Sequence, residues 1–160
     1  MQSDIKDILY QAEADYLNSQ DVLLFKSHAL SLAKRLEVYK LLRDREVAIF
    51  QPIADEISSK FSQESPQLIE KALKHWISIM RYCAMAMLLN NPEYLQRSIL
   101  EWLTEMVRAH QMQSMESTIY DLLFSHLKKI MPSDRFALIE PFLEQTQTIL
   151  SVKTTSKIGA

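Results

Sequence analysis

The chain has 160 residues, a formal net charge of −2 at pH 7 and one glycine, Gly159. A P-loop or a dinucleotide-binding turn needs glycine where the backbone approaches phosphate, so the composition excludes both in residues 1–158. The single cysteine, Cys83, excludes a disulfide framework and a cysteine-based zinc site, and the near-neutral charge gives no electrostatic footprint for nucleic acid.

The composition predicts an all-α protein. Leucine occurs 22 times against five valines, and the hairpin dipeptides Asn-Gly and Asp-Gly are missing from the sequence. The length favours one domain, which we expect over residues 1–151, with a Ser/Thr/Lys-rich, disordered tail over 152–160. No signal peptide precedes the first predicted helix and no apolar run reaches the ~20 residues that span a bilayer. We therefore expect a cytoplasmic protein without membrane insertion.

The N-terminal third is predicted to hold helices separated by short polar corners. Ser3 is placed to cap a first helix that runs to about Tyr16. A second helical stretch begins near Asp21 and is predicted to be two helices with a corner. A further corner at 43–45 leads into a helix over 46–61, in which Pro52 indicates either a later start or a bend.

Proline and small polar residues mark most of the later helix starts. The pairs Ser65-Pro66 and Asn91-Pro92 and the segment 132–134 combine a capping side chain with a proline. Pro141 should kink or restart the last helix. Apolar residues at spacings of three and four between these signals predict helices over 67–89, 92–109, 114–131 and 134–150.

Three segments in the same order resemble a known family. They are Ala12-Glu13-Ala14-Asp15-Tyr16-Leu17-Asn18-Ser19, then Ala33-Lys34-Arg35-Leu36 with Leu42 and Ile49, then Arg81-Tyr82 with Ala84, Ala86, Leu88-Leu89 and Asn90-Asn91. This pattern resembles the phycobiliproteins, the light-harvesting subunits of cyanobacterial and red-algal antennae, and most nearly an allophycocyanin-type α subunit. The resemblance spans about residues 3–150. It implies a globin-like helical bundle preceded by an N-terminal two-helix extension.

The chain departs from that family at the pigment site. By ungapped alignment from Arg81, the cysteine that attaches the bilin falls on Ala72, which has no thiol. The propionate-binding arginine falls on Lys74, and the aspartate that contacts the pyrrole nitrogens falls on His75. We expect no cofactor. The alternative is a carrier or sensor that holds bilin or haem non-covalently through Lys74, His75 and Arg81.

The remaining reactive side chains favour no catalytic or metal site. Cys83 is expected to be a small buried hydrophobe. His75 and His110 could serve as axial ligands of a haem, but the lysines beside His75 favour a solvated face. The histidines lack metal-ligand spacing, and no nucleophile motif such as GxSxG is present. We expect no enzyme; a lyase acting on bilin attachment would need a catalytic constellation that the sequence does not offer.

The first helix carries the functional prediction. A short isolated helix is marginal in water, so its apolar face needs a covering surface. In the family that the chain resembles, the N-terminal helices pack against another subunit. We therefore expect a non-pigmented binding protein that engages phycobilisome components, at the thylakoid surface, or itself as a homodimer, in assembly, attachment or regulation. Together with facing residues of the next helix, the predicted contact residues are Ile5, Ile8, Leu9, Asp15, Tyr16 and Leu17.

Overall fold

The protein is helical wherever its structure is described. The computed structural model describes the backbone of residues 2–106 and 113–155 and the side chains of residues 5–99 and 113–150. Within these ranges it contains no strand, which confirms the all-α prediction. The seven helices of these ranges are α1 (Gln2–Ala14), α2 (Ser19–Asp44), α3 (Glu46–Lys60), α4 (Pro66–Leu89), α5 (Pro92–Met106), α6 (Gln113–Ile130) and α7 (Ser133–Thr155).

The starts of α4 and α5 follow the capping signals of the sequence. The Ser65 hydroxyl accepts a hydrogen bond from the Leu68 N–H at 3.3 Å, and Pro66 occupies the first turn of α4. The Asn91 side chain accepts from the Tyr94 N–H at 3.1 Å and begins α5. α4 ends at Asn90, which adopts the left-handed conformation with φ 48°, a position that asparagine tolerates. The predicted starts at Ser65-Pro66 and Asn91-Pro92 are therefore confirmed.

The corner predicted within the second helical stretch is wrong. α2 is one continuous helix of 26 residues from Ser19 to Asp44. Its first half carries apolar residues on more than one side, which obscures the single stripe expected of a surface helix. Because the two halves of α2 have different neighbours, its apolar pattern changes along its length and resembles the pattern of two helices.

Two prolines lie inside helices that neither start late nor restart. α3 begins at Glu46 and contains Pro52, and α7 runs through Pro141. A proline within a helix removes one backbone hydrogen bond and crowds the preceding turn. The buried residues on either side, among them Ile53 and Phe142, hold each helix in the core and offset that cost. α7 remains helical to Thr155, four residues into the predicted tail, and the predicted end of α5 at Ala109 lies outside the described residues.

The core is built around α4, which packs against α2, α3, α5, α6 and α7. Trp76 of α4 is buried and begins a row of aromatic rings through the bundle. Ring centroids lie 5.8 Å apart between Trp76 and Tyr120, 5.8 Å between Tyr120 and Phe124, and 5.2 Å between Phe124 and Phe136. These spacings are typical of favourable aromatic packing, and they join α4, α6 and α7.

The N-terminal region stands apart from this core. α1 packs against α2, and the buried residues of α2 are Arg35, Val38 and Leu42, all in its C-terminal part. We refer to α1 together with residues 15–34 as the N-terminal arm. The helix α2 therefore belongs to the arm in its first half and to the core in its second.

Candidate functional site

Exposed apolar side chains are concentrated in and beside the arm. Of the twelve large hydrophobic residues with exposed side chains among the described residues, ten lie between positions 9 and 36. Such a concentration of exposed apolar side chains in one segment of a protein favours an interaction surface. The ten residues are Leu9, Tyr10, Tyr16, Val22, Leu23, Leu24, Phe25, Leu30, Leu32 and Leu36.

The contact residues predicted on α1 and in the turn after it divide between two environments. Ile8 is only 4% exposed, so it is covered within the chain, and Ile5 and Leu17 are half-buried. Leu9 and Asp15 are exposed, and Tyr16 is 98% exposed. α1 therefore packs against α2 with Ile8 buried, and the side chains of Leu9 and Tyr16 are left open to a partner.

The turn between α1 and α2 is fixed by local hydrogen bonds. The Asp15 carboxylate accepts from the Tyr16 N–H at 2.7 Å. The Asn18 side chain accepts from the N–H groups of Gln20 and Asp21, both at 2.9 Å, and caps α2. α2 packs against α1 after this turn, and the Tyr16 side chain lies in solvent.

The exposed residues of α2 form the larger part of the surface. Val22, Phe25, Leu32 and Leu36 recur at the spacings of one helix face, and Leu23 and Leu30 lie on another. The sequence prediction included them only as unspecified facing residues. The signal that could have found them was the apolar spacing of three and four that persists in α2 beyond what one buried face requires.

Arg35 joins the arm to the core. Its guanidinium donates hydrogen bonds to the backbone carbonyls of Met87, at 3.4 Å, and Leu88, at the end of α4. Burial lowers the pKa of Arg35 from its usual value. A cation at a helix C-terminus interacts favourably with the helix dipole, so this contact stabilises the position of α2 against α4.

The residues proposed for a non-covalent tetrapyrrole do not converge. Lys74 and His75 line a surface cleft of about 380 Å³ with Gln67, Glu70 and Lys71. Lys74 forms an ion pair with Glu70, which lowers the pKa of that carboxyl, and His75 Nδ1 lies 3.8 Å from a Glu116 carboxylate oxygen.

Arg81 lies away from the cleft and binds α3. Its Nε donates to a Glu46 carboxylate oxygen at 2.8 Å, and its terminal nitrogen binds the other oxygen. This hydrogen bond and the opposite charge raise the pKa of Arg81. Ala72 is fully buried in the core, so its side chain does not line the cleft.

Cys83 is a buried core residue, as predicted. Its thiol lies 3.7 Å from the Phe142 carbonyl oxygen and 3.4 Å from the Thr146 hydroxyl. Burial raises the pKa of this thiol to about 12, so it stays protonated and unreactive at neutral pH. Across the described residues no group of three or more His, Cys, Asp or Glu side chains could hold a metal ion, and His110 lies outside them.

The bundle around α4 with its N-terminal extension defines a globin-like all-α protein. The family model described as phycobilisome protein matches residues 9–122, which is most of the chain. The chain belongs to the phycobilisome protein family, as its resemblance to phycobiliproteins implied. No curated protein and no solved structure matches it. None of the helices in the described ranges has the length and apolar character needed to cross a membrane.

Proposed function

We propose that this protein is a non-pigmented member of its family that binds phycobilisome components, or a second copy of itself, through the N-terminal arm. Its role would be assembly, attachment or regulation of the antenna, at the thylakoid surface, rather than catalysis or nucleic-acid binding. The observation that carries the proposal is the concentration of exposed apolar side chains between Leu9 and Leu36.

The energetics of the arm support a role in binding. Burying one large apolar side chain in a partner contributes about 1.5–3 kcal/mol before the entropy cost of association. Ten such side chains are exposed between positions 9 and 36, whereas Val47 and Leu89 are the two exposed elsewhere in the described residues. Asp15 at the edge of the surface would add specificity more than affinity.

The pigment site supports a protein without covalent bilin. Ala72 offers no thiol and is enclosed by the core, and Cys83 is both buried and protonated. Cys83 lies eleven residues after Ala72, about 16 Å along the helix by its rise per residue. It therefore cannot replace the missing attachment point.

The binding proposal is tested by two matched substitutions. Tyr16→Glu alters an exposed residue of the arm, and Val47→Glu alters an exposed residue outside it that is 77% accessible. Tagged wild type and Val47→Glu should capture the same phycobilisome subunits from an extract, or self-associate to the same degree. Tyr16→Glu should weaken this binding or self-association at least fivefold. Equal binding by all three proteins would overturn the role of the arm.

A second candidate function is a non-covalent carrier or sensor of bilin or haem. The cleft beside His75 favours it, because an imidazole at a cleft can contact a tetrapyrrole. Purifying the protein from cells that make bilin and haem, and recording its absorption spectrum, separates the two functions. The binding proposal predicts no visible band, whereas a band lost in His75→Ala would support the carrier.

A further inference from the structure

One histidine of the arm has an enclosed ring nitrogen. His28 lies in the first half of α2 and is half-buried, whereas Ser27 and Ala29 on either side of it are exposed. Its Nε2 atom is shielded from solvent and has no hydrogen-bond partner among the described residues. Buried polar atoms are nearly always hydrogen-bonded in folded proteins, so an unpaired one points to strain or to a function.

The geometry of the arm places α1 over this histidine. α1 ends at Ala14 and α2 begins at Ser19, and the two helices pack against each other as a hairpin. His28 is nine residues after the start of α2 and Ile5 is nine residues before the end of α1, so the two lie at the same height. Ile5 is half-buried, and Ile8, one turn further along α1, is buried. The enclosed side of the imidazole therefore faces the apolar stripe of α1.

The charged groups of α2 itself do not favour a cation at this position. Asp21 and Arg35 lie seven residues before and after His28, about 10.5 Å along the helix. The Asp21 carboxylate already accepts a hydrogen bond from the Asn18 side chain at 2.5 Å. The Arg35 guanidinium is buried and carries the same charge as a protonated imidazole, so it adds repulsion rather than a partner.

The neighbouring helices supply no buried carboxylate for it either. The end of α4, residues 84–91, contains no titratable side chain, and α3 follows the opposite end of α2. At the start of α7, Arg135 pairs with Glu37, which lies nine residues beyond His28, about 13.5 Å along the helix. The titratable side chains of α1 within the described residues are all exposed, and they are Lys6, Asp7, Tyr10 and Glu13.

A neutral and a protonated imidazole differ sharply in such a place. A neutral ring can carry its proton on Nδ1, which leaves a lone pair on the enclosed Nε2. A second proton puts an N–H donor and a positive charge there, where no described residue accepts it. Burying an unpaired charge costs far more than burying an unpaired acceptor. The second proton is therefore bound best when α1 has moved away and water reaches the ring.

We propose that His28 is a pH-sensitive latch between α1 and α2, and that protonation of its imidazole releases α1. Histidine side chains ordinarily titrate at about pH 6.5, so the release occurs in mildly acidic solution. α1 is held weakly enough to be released, because Ile8 is the one buried side chain among residues 5–14. Release uncovers Ile8 and leaves the bundle folded. The latch is a property of the isolated chain and goes beyond the binding role of the arm.

Hydrogen exchange of the dilute, full-length protein tests the latch. Peptides of α1 are followed at pH 7.5 and pH 5.5, and their protection factors are corrected for the chemical exchange rate at each pH. Protection of α1 should fall three- to tenfold at pH 5.5. About tenfold is the limit for one proton that only the open form binds over this range. Protection of α4 and α6 should change by less than twofold, because the bundle stays closed.

Two substitutions at His28 should remove this pH dependence. His28→Leu replaces the unpaired nitrogen by an apolar group, so it should raise the protection of α1 at pH 7.5 and hold it constant to pH 5.5 within twofold. His28→Gln stays polar but takes no charge, so it should be equally insensitive to pH. His126→Leu is the matched control, since His126 is a half-buried histidine of α6, outside the arm. It should keep the full wild-type pH dependence of α1.

The outcomes separate the latch from the proposed function. Equal protection of α1 at the two pH values in wild type overturns the latch. So does a fall of wild-type size in both His28→Leu and His28→Gln, or its loss in His126→Leu. A protein that captures no phycobilisome subunit and does not self-associate contradicts the proposed function but leaves the latch standing, because exchange is measured without a partner.

Discussion

The arm and the core contain similar apolar residues, but the chain itself covers them in the core and leaves most of them exposed in the arm. Among the described residues from 5 to 34, Ile8 is the one buried side chain, whereas α4 alone buries nine. Both regions are rich in leucine and other apolar residues. The core covers its apolar surface with its own helices, and the arm has too few neighbours to do so. An apolar helix therefore indicates burial, but the fold decides whether the covering surface lies within the chain.

The helix α2 shows this contrast within one element. Its C-terminal part buries Val38 and Leu42, while Leu23 and Leu30 in its first half remain exposed. Arg35 stands at the boundary and binds the end of α4. Substitutions on the two sides of this boundary should therefore affect different properties.

The largest difference between the regions should appear in stability. Trp76→Ala removes a fully buried ring that packs on Tyr120, and should lower the free energy of unfolding by about 3–5 kcal/mol. Leu23→Ala removes an exposed side chain and should change it by no more than about 0.5 kcal/mol. Urea denaturation measures both, under conditions where the protein is monomeric. Similar losses in the two variants would contradict the division into arm and core.

The boundary residue should have an intermediate effect. Arg35→Met keeps the length of the side chain but removes both donors to the Met87 and Leu88 carbonyls, and should cost about 1–3 kcal/mol. Lys34→Met changes the exposed neighbouring residue and should be close to neutral. The comparison uses the same denaturation assay. If Lys34→Met costs as much as Arg35→Met, the hydrogen bonds of Arg35 are not what stabilises α2 on α4.

The buried thiol should make core stability depend on alkaline pH. The pKa of Cys83 is about 12 in the folded protein against an ordinary value of 9.0. The thiol therefore loses its proton at a lower pH in the unfolded chain than in the folded protein. As a result, the free energy of unfolding is retained below pH 9.0 and falls as the pH rises from there towards 12. Relative to Cys83→Ala, wild type should lose about 1 kcal/mol between pH 8 and pH 10.

Parallel pH dependence of wild type and Cys83→Ala would show that this thiol is not sequestered. A cysteine placed on the arm should, by contrast, be reactive. In Leu30→Cys the added cysteine is exposed, so it should react with a maleimide at pH 7 far faster than Cys83 does.

The smallest effect should come from the ion pair at the edge of the core. The Arg81 side chain is mostly exposed, and exposed pairs contribute less than about 1 kcal/mol. Glu46→Gln should therefore lower stability only slightly, and the difference should shrink as salt is added. A loss comparable to that of Arg35→Met would mean that the contact between α3 and α4 depends on this pair.

The sequence predicts the fold well where local chemistry decides it. Ser65-Pro66 and Asn91-Pro92 begin helices because a side-chain acceptor and a proline act within one turn. Pro141 does not restart its helix, because the packing of its neighbours outweighs the lost backbone bond. The continuity of α2 could not be predicted, since its two halves have different surroundings.

The candidate surface could be predicted only in part. The apolar spacing identifies Ile8 and Leu9 as one stripe of α1, but it does not indicate that the chain itself covers Ile8 and leaves Leu9 exposed. That division depends on the angle at which α1 meets α2, which tertiary packing sets. The same holds for Ala72, whose missing thiol is visible in the sequence and whose complete burial is not.

Hydrogen exchange tests the central claim, that the arm is a surface for a partner, most directly. Exchange would be followed in the wild-type protein when dilute, when concentrated, and when mixed with isolated phycobilisome subunits. Peptides within residues 5–36 should exchange faster than those of α4 and α6 in the dilute protein, and should gain protection in one of the other two samples. Unchanged exchange in the arm in both of those samples, or protection gained only outside it, would contradict the account.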